Sequence, residues 1–191
     1  VLPGQAKGLE LSNAGRDEVA DLTDRLTESF DEISAVYTSP LERARQTAVP
    51  IAKAFGIRAR SDRGLTECNF GDWTGLKIRD IVRTAEWQSL QRHASGFRFP
   101  NGESFLELQA RFDDAVSRIV NAHTGGVVAI ASHADPIKTA VAAASGMPLD
   151  FIHRIEISTC SVTAIAYGSF GSSPSVLTVN NVSDIGALRT L

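Results

Sequence analysis

Two rhythms of apolar residues alternate along this chain. Val19, Leu22, Leu26 and Phe30 recur at helical spacing and predict a helix over 13–30, with Ser12 or Asn13 as its cap. A short apolar run over 33–37 then reads as a strand. After a tight turn, Leu41, Ala44, Ala48, Ile51, Ala52 and Phe55 restore the helical period. No period fits 65–75, so that stretch reads as a loop, and 78–91 reads as a helix. Phe105, Leu108, Phe112, Ala115, Ile119 and Val120 predict a long amphipathic helix within 102–123, with Asn101 or Ser104 near its start. The run Val127-Val128-Ala129-Ile130-Ala131 follows a Gly125-Gly126 break and is apolar throughout. That is the signature of a buried parallel strand. A helix over 137–145 follows, with Pro136 suited to its first turn. Runs over 155–157, 161–167 and 175–179 predict late strands at the sheet edge, 168–174 a turn, and 183–191 a loose tail. The alternation of helix and strand makes the fold class α/β.

Two strand-to-helix junctions and one loop carry candidate chemistry. Arg43 follows the 33–37 strand at the start of its helix. Open α/β sheets bind ligands beyond the C-terminal ends of their strands, and a guanidinium fork there matches phosphate. Most helical arginines are merely solvated, so Arg43 alone would not decide the matter. His133 ends the second apolar strand and faces a helix N-terminus, where partial positive charge accumulates. The small Ala134 beside it lets backbone N–H groups approach a ligand. Glu67 lies in the loop Leu65 to Gly75 among aromatics and glycines. It reads either as a solvated charge or as a carboxyl that apolar walls keep protonated toward neutral pH. Those walls raise its pKa while Arg43 lowers it, and the sequence leaves the net sign open.

Taken together and in order, these segments resemble the histidine phosphatase superfamily, which includes cofactor-dependent phosphoglycerate mutase. The resemblance rests on Ser39-Pro40-Leu41-Glu42-Arg43-Ala44-Arg45-Gln46-Thr47, on Glu67 to Gly75, on Pro100 to Ser104, and on Ser132 to Ile137 with Ala134 where glycine is usual. The opening Leu2-Pro3-Gly4 and Leu11 to Gly15 match as well. It implies one phosphoglycerate mutase-like domain over 1–191: a three-layer sandwich with a mostly parallel central sheet and helices on both faces. It also implies phosphoryl transfer through a phosphohistidine. In that reaction Arg43, His133 and the Ala134 backbone hold the phosphoryl oxygens, Gly4 contacts substrate through its backbone, and Glu67 moves the proton. Arg43, Glu67 and His133 are therefore expected to line one cleft. Neither metal nor cofactor is expected, since cationic side chains meet the developing charge.

The family's nucleophile sits in an Arg-His-Gly or Arg-His-Ala sequence that ends its first strand. Here Arg92-His93-Ala94 has the letters but lies after the glutamate loop, and it reads as a helix end or surface loop. Either a strand upstream of Val1 carries the nucleophile or the protein is a non-catalytic phospho-ligand-binding relative. The first fits better, because a missing central strand would leave its neighbours unpaired. Roughly thirty residues separate Trp73 from Gly102, where mutases carry a longer insertion. An open site favours hydrolysis of a small phosphorylated metabolite over mutase-type transfer to a second substrate.

Composition adds bounds. The chain has 191 residues, 43% of them hydrophobic, and a net charge of −3. That length buries a sizeable core. Without a basic tract or a long apolar run, neither nucleic acid nor membrane is an expected partner. Cys68 and Cys160 lack zinc-ligand spacing and read as reduced thiols, so the expected location is cytoplasmic. The expected assembly leaves room for a homodimer.

Overall fold

The computed structural model describes residues 1–168 and 173–183. Helix α1 (Asn13–Ser29) begins at Ser12, whose hydroxyl accepts the Gly15 amide and satisfies one of the unpaired first-turn donors. Strand β1 (Ala35–Thr38) turns through Ser39 and Pro40 into α2 (Glu42–Ala54), and β2 (Ala59–Ser61) follows. The 65–75 segment is irregular apart from short 3-10 turns at Arg63–Leu65 and Gly71–Trp73. The helix expected over 78–91 is two pieces, α3 (Ile78–Ile81) and α4 (Ala85–Arg92). Thr84 breaks it because its side chain caps α4 by accepting the Trp87 amide.

Helix α5 (Phe105–Ala122) opens on a capping box between Ser104 and Glu107. Strand β3 (Val128–Ala131) leads into α6 (Ala134–Ser145), which starts three residues before the expected position because His133 already takes the N-cap place. Strands β4 (Val162–Ala166) and β5 (Ser175–Asn181) close the described chain.

Strands β2, β1 and β3 form a parallel sheet in that order, with Val36 level with Ala59 on one side and Ala129 on the other. Alternate residues face opposite layers, as the strand period of two requires. Val36, Ala129 and Ala131 pack with Leu22 and Leu26 of α1 and with Ala48 and Ile51 of α2. Tyr37, Val128 and Ile130 pack with Phe112, Ala115 and Ile119 of α5 and Ala140 of α6. Helices therefore cover both faces of a parallel sheet. A third cluster of Phe70, Trp73, Phe99, Phe105 and Leu108 lies under the loop that carries Glu67.

Several expectations need correction. Residues 155–157 are not a strand. Ile155 and Ile157 are half-buried around an exposed Glu156, but the segment leaves a 3-10 helix (Leu149–Arg154) and no strand pairs with it. The late strands do not extend the parallel sheet: among the described residues β4 and β5 pair only with each other, antiparallel. Strand β3 is half-buried throughout rather than buried, because it has a strand on one side only among the described residues. Its outer edge and β4 nevertheless feed the same two apolar clusters, through Val162 on one face and Ile165 on the other. Part of the expected 168–174 turn and residues 184–191 lie outside the described residues.

Candidate active site

Parallel pairing puts the C-terminal ends of β1, β2 and β3 on one rim. The Ser39 amide bonds the Ala131 carbonyl at 3.0 Å, and the Asp62 amide bonds Thr38 at 2.9 Å. Arg43 leaves β1 in the first turn of α2, His133 follows β3, and Glu67 follows β2 through the Arg63–Leu65 turn. Their charges act on one another: Arg43 bears on both Glu67 and His133.

Arg43 reaches inward. Its Nη2 donates to the Gly4 carbonyl at 2.8 Å, while Nη1 is buried and has no hydrogen-bond partner among the described residues. Gly4 is buried at φ +46°, and a Cβ there would come within 3.0 Å of Thr74 Oγ1 and 3.1 Å of Phe70. Glycine thus fits both the backbone twist and the tight seat against the glutamate loop. Gly4 meets Arg43 through its carbonyl. Ala134 begins α6, so its N–H is among the first-turn donors that lack an intrahelical acceptor.

His133 is 8% exposed, and its Nε2 lies 2.8 Å from the hydroxyl of the fully buried Ser39. Nδ1 has no protein partner among the described residues. Burial first, then the positive charges of Arg43 and Arg111, hold the imidazole pKa down to about 3. Without a ligand the ring is neutral.

Glu67 is 7% exposed. Its Oε1 accepts the Cys68 amide at 2.8 Å. Burial and the nearby Asp135 carboxylate raise its pKa. The Cys68 amide, Arg43 and Arg111 pull the other way without reversing the shift. The opposition between apolar surroundings and Arg43 is present as expected, with burial dominant. Asp135, in the first turn of α6, is also raised by burial, and Lys138 stands 4.0 Å from it.

Sequence reasoning passed over Ser39 as a partner of His133. It also missed Asp135, Ser132, which donates to the Leu65 carbonyl at 2.8 Å, and Arg111, whose guanidinium grips the Glu67 loop. Arg111 had a signal: it falls between Leu108 and Ala115 on the apolar stripe of α5, where an unpaired charge would be costly. Cys68 and Cys160 are free thiols, and Cys68 is fully buried beside Glu67. Among the described residues no helix is long and apolar enough to cross a membrane.

A parallel α/β sheet with an arginine, a histidine and a buried glutamate on its C-terminal rim puts these groups where open α/β sheets bind ligands, and the guanidinium there suits an anion. The model of the histidine phosphatase superfamily (branch 1) matches residues 3–182, and the chain belongs to that family. A bifunctional protein of Mycobacterium tuberculosis is 32% identical over 149 residues, 78% of this chain and 41% of the relative. Phosphoglycerate mutase-like protein 4 of Arabidopsis thaliana is 31% identical over 135 residues, 69% of this chain and 58% of that protein. The chain thus spans less than two thirds of the length of these curated relatives. Among solved structures, Bacillus stearothermophilus YhfR superposes with a TM-score of 0.80 at 29% identity, covering 94% of this chain and 90% of that one. A mycobacterial glucosyl-3-phosphoglycerate phosphatase shares the fold at 24% identity and a TM-score of 0.82, over 94% of this chain and 91% of its own.

Proposed function

We propose that this protein hydrolyses a small phosphomonoester through a phosphohistidine, without a metal. The carrying observation is Arg43 Nη1, a buried cationic donor with no partner among the described residues, on the rim it shares with His133. Buried donors are nearly always satisfied, and an anion at this point would satisfy it. A phosphoryl group held there would take Arg43, His133 and the Ala134 N–H on its oxygens. The nucleophile is a histidine on a strand preceding Val1. The β3 edge, which has no strand partner among the described residues, and the two apolar clusters that β3 shares with β4 suit such a strand. The histidine nitrogen attacks phosphorus and the ester oxygen departs with the proton of Glu67. Glu67 then takes a proton from the water that breaks the P–N bond. Its raised pKa suits it to hold that proton near neutral pH. The substrate is a small phosphorylated metabolite.

Hydrolysis is preferred to mutase chemistry because the stretch between Trp73 and Gly102 is short and its helices pack on themselves. Trp87 of α4 stacks on Trp73 at 6.2 Å rather than reaching across the rim. The test uses protein carrying its preceding segment, assayed with chelator present. Turnover of alkyl and aryl phosphomonoesters is expected, with none from residues 1–191 alone. Glu67→Gln should cut kcat/KM for alkyl phosphates by about a hundredfold or more. Aryl phosphates with acidic phenols should lose much less. Equal losses would remove Glu67 as the acid. Phosphate binding without turnover would favour a non-catalytic phospho-ligand module.

A further inference from the structure

Arg111 of α5 sits behind the glutamate loop and spends all five of its N–H donors. Nη1 bonds the carbonyls of Gly64 at 2.9 Å and Thr66 at 2.8 Å, and Nη2 bonds that of Glu67 at 2.9 Å. Nε and Nη2 take the two oxygens of Glu103, at 2.9 and 2.6 Å. Glu103 in turn accepts the Asn69 amide at 2.7 Å, and its own amide donates to the Asn69 carbonyl at 3.0 Å. The ion pair therefore holds the chain on both sides of Glu67: three carbonyls before or at it, one amide beyond it. A single planar fork does this, which a lysine ammonium cannot reproduce. Among the described residues the Glu67 side chain accepts one hydrogen bond, from the adjacent Cys68 amide, so its position is inherited from the backbone that Arg111 grips.

We propose that Arg111, braced by Glu103, is a positioning residue that sets the Glu67 carboxyl at the ester oxygen. The proposal rests on the acid role of Glu67 proposed above. Proton transfer needs heavy atoms within hydrogen-bond reach, and a displacement of about 1 Å can cost on the order of a hundredfold. The groups facing Glu67 are Asp135 from α6, Arg43 from α2, Arg111 from α5 and the Cys68 amide. Loss of Arg111 therefore also removes one of the charges that restrain the Glu67 pKa.

The experiment compares Arg111→Lys, Arg111→Met and Glu103→Gln with wild type, in protein carrying its preceding segment. Glu103→Gln loosens the same grip from the other side should the arginine variants fold poorly. Arg111→Lys keeps the charge, so the alkaline limb of the pH profile should stay near that of wild type. Alkyl-phosphate kcat/KM should nevertheless fall by about a hundredfold, and aryl-phosphate kcat/KM by much less. Arg111→Met should move that limb to higher pH. In a Glu67→Gln background, Arg111→Lys should cost little further activity, because the group it positions is already gone. Amide exchange at Cys68 should quicken in every variant while that in α1 does not. Equal alkyl and aryl losses, additivity with Glu67→Gln, or unchanged exchange at Cys68 would overturn the proposal. If wild type turns over neither ester, the phosphatase reading fails by itself. Exchange at Cys68 then still decides whether Arg111 holds the carboxyl.

Discussion

Ser39→Ala tests whether His133 is held ready for an anion or is merely a buried ring. The substitution removes the hydroxyl 2.8 Å from His133 Nε2 and the acceptor 3.3 Å from the Leu41 amide, and it adds no atom. Ser39 is fully buried and His133 nearly so, so water cannot replace the lost partner without rearrangement. A buried polar group left unsatisfied costs about 1–3 kcal/mol, and the imidazole nitrogen takes most of that. The Leu41 contact is longer than the usual N–H···O distance and contributes less. With a urea slope of about 2 kcal/mol per molar, the midpoint should fall by roughly 0.5–1.5 M. Loss of the hydroxyl also frees the ring to change tautomer or turn, so that it no longer presents one fixed nitrogen to an anion. Orthovanadate affinity should then drop by about tenfold, the equivalent of about 1.4 kcal/mol. Ser132→Ala is the control. It deletes a hydroxyl that bonds the Leu65 carbonyl, so stability should fall while the His133 ring nitrogens keep their chemical shifts. Imidazole 15N spectra and urea titrations read both effects. An unchanged midpoint together with unchanged His133 shifts in Ser39→Ala would refute the reasoning.

Further outcomes concern two glycines and the Asp135–Glu67 pair. Gly71→Ala should cost more than about 3 kcal/mol or prevent folding, because at φ +51° its Cβ would meet the Pro100 carbonyl at 2.0 Å. Gly75→Ala, at φ +85° with open space around it, should cost only the left-handed strain of about 1–2 kcal/mol, and thermal unfolding separates the two. Asp135→Asn removes a like charge that raises the Glu67 pKa, so the alkaline fall in activity should move to lower pH. The same raised pKa has a stability consequence of definite sign. The folded protein holds the Glu67 proton above the unfolded carboxyl range, so stability declines as pH rises from that range through the folded value. Asp135→Asn should flatten this decline, which chemical denaturation across pH measures.

The parts of the fold legible in the sequence were those that local chemistry determines. Ser12 and Ser104 sit three residues before the amides whose hydrogen bonds their hydroxyls accept, and the 3.6 period of α5 runs unbroken from Phe105 to Ile119. The chain breaks where capping competes with continuation were less visible. Thr84 can sit in a helix or end one, and only its bond to Trp87 decides. Residues 155–157 mimic a strand because alternation follows from half-burial of any extended segment, whereas a strand needs a partner that a local pattern cannot supply. The same limit explains β3. Five apolar residues marked it as a buried strand, and helices do pack on both its faces, but it is only half-buried because burial along its edge depends on what pairs there.

The site divides along the same line. Arg43 and His133 are recognisable because each lies in a motif at a junction between strand and helix, and Glu67 because its loop motif carries a run of glycines and aromatics. Their neighbours are set by packing between elements far apart in sequence, and so their chemistry was hidden. Asp135 looks like an ordinary first-turn acid that complements the α6 dipole, yet it raises the pKa of a glutamate almost seventy positions earlier. Arg111 looks like one more helical arginine until its fork is found on three loop carbonyls. The distinction has a physical basis. Groups that touch the anion need a fixed local geometry, which constrains adjacent residues and leaves a motif. Groups that tune or brace them need only the right distance and charge, and any element packed against the loop can provide those. In this chain α5 and α6 both do: one places a cation behind Glu67, the other an anion, and the proton affinity of the carboxyl is set by the burial between them.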